Sequence, residues 1–247
     1  MPDRYPGAEW IPWAWNPNNP AYYNDQNAPE AVVLHVAQGY RGTVRQWAKD
    51  GYAGASWHYT VCRDGRVLQH LEHNDGGYHA GIERYRRDGS ENPIPTWPLW
   101  KGWGVNVNRY TIGIEHEGFS GTQFTPEQMA ASRELCRWLA GELGIPLDVE
   151  HFTWHGAIAL IDRADDFNTA PLREEFYSYL LMPVVRPPVP PPGFDFTKVR
   201  LEPIGNSQTE VIPEMSLVDW SDKPNERIVT TVQRITTKQR MRIVVDP

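Results

Sequence analysis

The sequence predicts an α/β domain followed by a small β-rich module. Over residues 31–181, short apolar runs with strand-like composition alternate with segments of helical periodicity. The proline-rich stretch PVVRPPVPPP at Pro183–Pro192 is compatible with neither a helix nor a central strand, and it is typical of a semi-rigid spacer. Residues 194–247 are rich in β-branched side chains, and Ile228–Ile235 and Met241–Val245 are predicted to be strands joined near Thr236–Gln239. We therefore predict domains at 1–182 and 194–247, with a linker at 183–193.

In the first half of this domain, the predicted strands come from one apolar run and one hairpin. Ala31–His35 (AVVLH) has the composition of a buried strand that ends on a histidine. A short helix is predicted over Val44–Lys49. Ser56–Cys62 and Arg66–Leu71 alternate in strand fashion on either side of the turn dipeptide Asp64-Gly65, which indicates a β-hairpin.

The second half of this domain supplies another strand and two helices. Tyr110–Glu115 (YTIGIE) is predicted to be a buried strand that ends on an acid. Thr125 is a helix N-cap followed by proline and by a capping-box glutamine at position 128, and Gly144 ends that helix. A final helix is predicted over Ala170–Leu181.

Two irregular segments are rich in aromatic residues. Residues 1–30 hold tryptophans and tyrosines among prolines and asparagines, so we expect an arm without helix or strand whose aromatic side chains anchor it to the core. A wall of a substrate site is the alternative. The loop at residues 93–104 (PIPTWPLWKGWG) carries three tryptophans, which are compatible with a functional loop and with simple anchoring.

Composition excludes several classes of protein. The net charge of -7 argues against binding to a phosphate backbone, so nucleic acid is not an expected partner. The two cysteines, Cys62 and Cys136, are too few for a disulfide framework and are expected to be reduced core residues. Neither a signal peptide nor an apolar stretch of membrane-spanning length is present, so we expect a soluble monomer that is synthesised in a cytoplasm.

A candidate metal site is predicted around Phe152–Thr169 (FTWHGAIALIDRADDFNT). It holds His155 together with three acids, Asp162, Asp165 and Asp166. His35, at the end of a buried strand, is the best further ligand, because strand ends lie at the sheet edge where sites commonly form. The hypothesis is that His35, His155 and Asp165 bind a tetrahedral zinc whose fourth position is left for water, as in catalytic zinc sites.

Three other polar residues are candidates for the same site. Glu115 ends a buried strand, where burial of a carboxylate costs free energy unless a polar or charged group contacts it. The alternative to a role in the site is a salt bridge at the rim. Arg163 could hold an oxyanion, and Glu115 could act as the base of an amide hydrolysis. His79 lies in the glycine-rich turn GGYHAG, where a cleft residue and a solvent-facing loop residue are both compatible with the sequence.

Five motifs follow one another in the chain: LHVAQG, ASWHYTVCRDGRVLQHL, GGYHAG, YTIGIEHEG and HGAIALIDRADD. In this order they resemble the type 2 N-acetylmuramoyl-L-alanine amidases over about residues 30–182. The resemblance implies a mixed β-sheet flanked by helices, with zinc at its edge. It implies His35, His155 and Asp165 as ligands, Glu115 as the catalytic acid-base residue, and His79 in the substrate cleft. His58, in the second motif, is assigned to substrate binding with His79.

Two positions depart from the family pattern. The usual lysine is Arg163, which keeps the positive charge but stays protonated. The usual Asp-Pro-Gly is Asp165-Asp166-Phe167; a spacing of ten residues from His155 favours Asp165 as the ligand, with Asp162 and Asp166 as competitors.

The resemblance implies cleavage of the amide bond between N-acetylmuramic acid and L-alanine in bacterial peptidoglycan. A spacer plus a terminal module favours a phage or prophage endolysin that acts on the cell wall. The alternatives are a cytosolic muropeptide-recycling amidase and a binding protein that recognises peptidoglycan without cutting it. The module at 194–247 is a candidate for wall attachment or for self-association.

Overall fold

The computed structural model describes residues 4–52, 54–164, 166–167, 169–182, 199–213, 217–220, 227–230 and 233–245. The chain forms two compact units, Met1–Pro183 and Val184–Pro247. The predicted proline-rich linker lies outside the described residues. The predicted domain limits therefore stay a prediction.

The first unit is built on a six-stranded mixed sheet. The strands of this unit are β1 (Ala8–Trp10), β2 (Tyr22–Tyr23), β3 (Ala31–Val36), β4 (Tyr59–Val61), β5 (Val67–Gln69), β6 (Gly76–Gly77), β7 (Thr111–His116) and β8 (Phe152–Trp154). The large sheet has the order β1-β5-β4-β7-β3-β8, and β2 pairs with β6 separately. β4, β7, β3 and β8 are parallel to one another, whereas β5 is antiparallel to β4. The carboxyl ends of the parallel strands consequently lie at one edge.

Helices cover both faces of this sheet, as the sequence predicts. They are α1 (Arg41–Asp50), α2 (Pro126–Leu143) and α3 (Ala170–Leu181). Side chains from α2 and α3 pack with Val32 and Leu34 of β3 in one core cluster. Val44 and Ala48 of α1 pack on the other side with residues of the N-terminal arm and the hairpin. The predicted fold class is confirmed.

The ends of α2 follow the predicted signals with one difference. Thr125 Oγ1 accepts a hydrogen bond of 3.1 Å from the backbone N–H of Gln128, and Gly144 ends the helix in the left-handed conformation. The Gln128 side chain does not complete a capping box. It is fully buried, and its Nε2 donates to the carbonyl oxygens of Val61 and Glu117, which follow or end strands of the sheet.

The N-terminal arm contradicts the prediction of an irregular segment. β1 pairs in parallel with β5 and forms an edge of the main sheet. The predicted anchoring is confirmed for Trp13, which is buried and donates a hydrogen bond of 3.0 Å from Nε1 to the carbonyl of Tyr52. Trp97 of the 93–104 loop is also buried and donates to the carbonyl of Glu150, so this tryptophan anchors the loop.

Three buried histidines outside the candidate site are held in the neutral form. We call His58, His70 and His116 the core histidines. In each ring one nitrogen faces a carbonyl oxygen and donates to it, and the other nitrogen accepts from a backbone N–H or a hydroxyl. Burial lowers the pKa of His58 to about 3 and the pKa values of His70 and His116 to about 4.

Both cysteines are free and buried, as predicted. They belong to different clusters. Cys136 of α2 packs in the core beneath α2 and α3, and Cys62 packs in the cluster that contains α1. Burial raises the pKa of each thiol to about 12.

The second unit contains β9 (Val199–Pro213), β10 (Leu217–Trp220), β11 (Arg227–Thr230) and β12 (Gln233–Val245). Its β-rich character is confirmed. β12 pairs antiparallel with β9 along most of its length, and β10 pairs with β11. The predicted turn near residues 236–239 is wrong, because these residues lie within β12 and are paired with β9 apart from an irregularity between Lys238 and Arg240.

In the part of the chain that the structure describes, no helix combines the length and the apolar character needed to cross a membrane.

Candidate metal centre

The candidate site lies at the carboxyl ends of three parallel strands. His35 and Glu115 are the penultimate residues of β3 and β7 and are direct neighbours in the register between these strands. His155 follows the last residue of β8, which pairs with β3 on its other side. Residues that are far apart in the sequence therefore meet at one sheet edge, which is the usual place for a site in an open α/β sheet.

Asp166 completes a cluster with the two histidines. Its Oδ2 lies 3.2 Å from Nδ1 of His35 and 2.9 Å from Nδ1 of His155. Its Oδ1 accepts a hydrogen bond of 3.1 Å from the backbone N–H of Val36, which fixes the orientation of the carboxylate. One ligand atom from each of the three residues lies within 4.8 Å of the others.

This donor set fits a small divalent metal ion. Two imidazole nitrogens and one carboxylate oxygen form a catalytic type of zinc site, and tetrahedral bonds of about 2.1 Å would separate neighbouring ligand atoms by roughly 3.4 Å. The distances from Oδ2 to the two Nδ1 atoms, 3.2 and 2.9 Å, are close to that separation. The histidine rings are 1% and 4% exposed, so few other groups compete for their lone pairs.

The electrostatics of the cluster favour a cation. Burial raises the pKa of Asp166, but the positive charge of His35 and the hydrogen bonds from both histidines outweigh burial and hold its pKa well below its usual range. Burial lowers the pKa of His35, but the charges of Asp166 and Glu115 raise it above its ordinary value. Burial lowers the pKa of His155 to about 4. A carboxylate and a second acid thus draw positive charge to this point.

Of the three acids considered as ligands, the structure describes Asp162 and Asp166, and these two have different partners. Asp165, which the ten-residue spacing favours, lies outside the described residues. Asp162 is directed to Arg86, with 3.1 Å between Oδ1 and Nη2, and so is engaged away from the histidines. Asp166 is the acid that the structure brings to them.

Phe167 anchors the end of this loop. Its ring is fully buried among His116, Phe124 and Phe176, at centroid distances of 5.1, 5.6 and 4.8 Å. Its φ of 67° lies in the left-handed region, which is unusual for a bulky residue. The buried ring therefore holds in place a backbone conformation that adjoins Asp166.

Glu115 lies beside the cluster and forms no salt bridge with any residue that the structure describes. Its side chain is 9% exposed, and Oε2 has no hydrogen-bond partner among the residues that the structure describes. Burial raises the pKa of Glu115 to about 7, although the charge of His35 opposes the rise. A carboxylate with this pKa can exchange a proton near neutral pH, as a general base must.

The two histidines predicted to bind substrate occupy different places. His79 lines the cleft above the cluster, and its Nδ1 lies 3.2 Å from Nε2 of His35. Burial lowers the pKa of His79 well below its usual range. His58 is fully buried and is not among the residues that line the cleft; both of its ring nitrogens bind backbone groups, of Asp75 and Gly113. This geometry favours a structural role for His58 over the predicted substrate contact.

The cluster opens into a cleft of about 1080 Å³. Arg163 lies on its wall with an exposed side chain, and its positive charge acts on His35, His155 and Glu115. The lining also includes residues 81–83 and 85–88, of which Arg86 forms a salt bridge with Asp162. The cleft is wide enough for a peptide or an oligosaccharide segment.

Sequence reasoning missed the residues that support the site. Gly113 is one: a Cβ at this position would lie 2.6 Å from Cγ of His79, so the histidine ring rests against bare backbone. Asn108 is another, because its Oδ1 accepts from the backbone N–H groups of His79 and Ala80 at 3.2 and 2.8 Å. The available signal for Gly113 was a glycine inside the buried strand YTIGIE, which indicates close approach by another group.

Comparison with known proteins identifies similar sequences and folds. Residues 25–168 match a family model described as N-acetylmuramoyl-L-alanine amidase. The chain is 26% identical over 136 residues to N-acetylmuramoyl-L-alanine amidase A of Achromobacter lyticus. The matched region covers 53% of this chain and 63% of that protein. The chain thus matches less than two thirds of the length of this curated relative.

Among solved structures, the selenomethionine derivative of AmpD has a similar fold. It matches with a TM-score of 0.51 and 19% identity, over 74% of this chain and 98% of that one. The amidase LysC from Clostridium intestinale matches at 19% identity with a TM-score of 0.47, over 71% of this chain and 98% of that one. The likeness to AmpD supports the assigned fold.

Proposed function

Because the chain belongs to the N-acetylmuramoyl-L-alanine amidase family, we propose that it hydrolyses the amide bond between N-acetylmuramic acid and L-alanine of the peptidoglycan stem peptide. The observation that carries this proposal is the cluster of His35, His155 and Asp166 in a wide cleft, beside Glu115, whose Oε2 has no hydrogen-bond partner among the described residues. Amide hydrolysis requires an electrophilic activator and a base, and this arrangement provides for both.

The proposed cofactor is Zn²⁺. His35 and His155 would bind it through Nδ1 and Asp166 through Oδ2, because these atoms already converge. When bound, the metal would supply a Lewis acid that polarises the amide carbonyl and makes water more acidic. Asp165 remains the alternative ligand that the family spacing implies.

The chain's own residues would move the proton and hold the negative charge. Glu115 would accept a proton from the attacking water and deliver it to the amine of the leaving L-alanine, which its raised pKa suits. Arg163 would stabilise the developing oxyanion, since it is an exposed residue that lines the cleft and its guanidinium stays charged. His79 would contribute to the cleft wall next to the reacting bond.

The first test combines metal analysis with identification of the product. The purified full chain should contain about one zinc per molecule, in keeping with one set of three ligands. Digestion of purified cell walls should release stem peptides with a free L-alanine amino terminus, detected by mass spectrometry. New reducing sugar ends instead of new amino termini would contradict the amidase reaction.

Substitution of the acids tests the roles of the site residues. Glu115→Gln should keep the metal content and lower the rate by roughly 10²- to 10⁴-fold, the usual contribution of an acid-base residue. Asp166→Asn should lose the metal, whereas Asp162→Asn, in the same loop but paired with Arg86, should keep it. Asp165→Asn separates the two candidate ligands: loss of metal from this variant alone would assign the role to Asp165.

We further propose that the protein is an endolysin of a phage or prophage. A β-rich second unit that follows a proline-rich stretch supports this setting, because a recycling amidase acting on soluble fragments has no use for a wall anchor. The full chain should co-sediment with cell walls more strongly than a chain that lacks residues 184–247. Equal sedimentation of the two chains would contradict the anchoring role of the second unit.

A further inference from the structure

A line of buried hydrogen bonds leads from the candidate metal centre into the core. His35 Nε2 lies 3.2 Å from His79 Nδ1, and His79 Nε2 lies 3.3 Å from Thr111 Oγ1. Thr111 Oγ1 donates in turn to the carbonyl oxygen of Val107 at 2.9 Å. All four residues are buried, with exposures between 0 and 8%.

The direction of each bond in this line is determined by its far end. The carbonyl of Val107 can only accept, so the hydroxyl hydrogen of Thr111 is used there and its oxygen is free to accept. His79 must therefore carry its proton on Nε2. A neutral imidazole has one N–H, so Nδ1 of His79 is an acceptor and receives the Nε2–H of His35.

We propose that His79 is a positioning residue that fixes His35 in the tautomer able to bind a metal. With one proton of His35 held on Nε2, the proton on Nδ1, which meets Asp166 Oδ2, is the one that a metal would replace, and Nδ1 would then be the ligand atom. Thr111 is the residue that imposes this arrangement on His79. The inference rests on the proposed metal site and deepens it, since His79 acts through His35 and not by contact with substrate alone.

The surroundings of His79 leave its ring no other position. Gly113 lies directly against the ring, where a Cβ would be 2.6 Å from Cγ. The backbone at His79 is held by Asn108 Oδ1, which accepts from its N–H and from that of Ala80. The rings of His35 and His79 are nearly perpendicular, at 89°, with centroids 5.3 Å apart. A ring fixed in this way can orient a neighbouring ligand, as the outer partners of metal-binding histidines do.

The matched pair Thr111→Val and Thr111→Ser tests the inference in the full chain. Valine keeps the shape and the backbone hydrogen bond of Thr111 to His79 but removes the hydroxyl that accepts from the Nε2–H, whereas serine keeps the hydroxyl. Zn²⁺ affinity is measured by competition with a chromophoric chelator. We expect a 10- to 100-fold weaker Kd for Thr111→Val and for His79→Ala, the usual effect of losing an outer partner, and a Kd close to that of the parent chain for Thr111→Ser.

Nitrogen-15 spectra of the histidine rings give a second readout that a purely structural role would not move. In the zinc-loaded parent chain, both His79 and His35 should carry their proton on Nε2. In Thr111→Val, His79 should show a mixture of tautomers. A proton on Nδ1 of His79 in the parent chain, or an unchanged Kd in a folded Thr111→Val variant, would overturn the inference.

The outcome is distinguishable from failure of the proposed reaction. A parent chain that binds Zn²⁺ with these tautomers but releases no stem peptide from cell walls would leave the positioning role intact and contradict the amidase assignment. A parent chain that cleaves walls, with a Zn²⁺ affinity indifferent to Thr111→Val, would retain the amidase assignment and remove the positioning role.

Discussion

The backbone at Phe167 can be tested through the relative stability of two substitutions. Its φ of 67° is a conformation that costs a residue with a Cβ roughly 1 to 2 kcal/mol and costs glycine almost nothing. Its ring is fully buried, so removing it should cost about 3 to 5 kcal/mol in either Phe167→Ala or Phe167→Gly. Relief of the backbone strain should make the glycine variant the more stable of the two by ~1 kcal/mol.

Phe176 provides the matched control. It is equally buried, its ring centroid is 4.8 Å from that of Phe167, and it lies within α3, where the backbone is helical. Here the order should reverse, because glycine in a helix is about 1 kcal/mol less favourable than alanine. The two alanine and glycine pairs thus share the loss of a ring and differ in the sign of the backbone effect.

Urea denaturation of the metal-free proteins, followed by fluorescence, measures these differences. A difference of 1 kcal/mol shifts the urea midpoint by roughly 0.3 to 1 M, because m-values are about 1 to 3 kcal/mol/M. If Phe167→Ala were as stable as Phe167→Gly or more stable, the strain assigned to this backbone would be refuted. Both variants should also bind Zn²⁺ more weakly than the parent chain, because Asp166 precedes the altered residue.

Three further predictions concern pH, packing and charge. The core histidines are neutral in the folded chain, with pKa values of about 3 to 4, and their unfolded values are near 6.5, so the unfolded state binds more protons as the pH falls below about 6.5. The contribution of these histidines to the free energy of unfolding should be fully present above that pH. It should decline by up to ~4 kcal/mol per pH unit between about pH 6 and pH 4. Equal urea midpoints at pH 7 and pH 5 would contradict this. Gly113→Ala should destabilise the protein by about 1 to 3 kcal/mol through the clash with His79 and should weaken Zn²⁺ binding. Thermal unfolding measures the first effect and chelator competition the second. An unaltered Tm would contradict the close approach of His79 to Gly113. Arg163→Ala should lower kcat by roughly 10²- to 10³-fold with metal retained. Arg163→Lys should keep the rate at neutral pH and lose it near the lysine pKa of about 10, which a pH–rate profile tests. Full activity of the alanine variant would exclude the oxyanion role.

The sequence predicts those parts of the fold in which local signals and tertiary packing agree. β3 and β7 are apolar runs buried on both faces, so composition alone indicates them and places His35 and Glu115 at their ends. The caps of α2 are side-chain and glycine signals that act within a few residues. β3, β7 and α2 are therefore found with bounds shifted by only one or two residues from the predicted ones.

Other elements depend on partners that are distant in the sequence. β1 is a strand because β5 offers it an edge, and its residues AEW carry no strand pattern of their own. β8 has three residues, too few for periodicity to be recognised. In the second unit, β12 runs through the predicted turn near residues 236–239 because its partner is β9, which local sequence patterns do not identify.

The candidate site shows the same division. Residue type and strand ends predict His35, His155 and Glu115. The identity of the acid depends on the turns between His155 and Asp166 and on the buried ring of Phe167, which sequence spacing does not encode. His58 has the sequence context of a site residue, but both of its nitrogens are used by the backbone of the core.

The placement of the two thiols makes them probes of how the molecule opens. Cys62 and Cys136 lie in clusters on opposite faces of the sheet, and neither is accessible to solvent in the native chain. A thiol reagent can reach one of them only after its own layer has separated from the strands. Labelling rates for the two cysteines, compared by mass spectrometry, would therefore distinguish an all-or-none unfolding from a molecule in which the α1 layer lifts while the α2 and α3 layer stays closed.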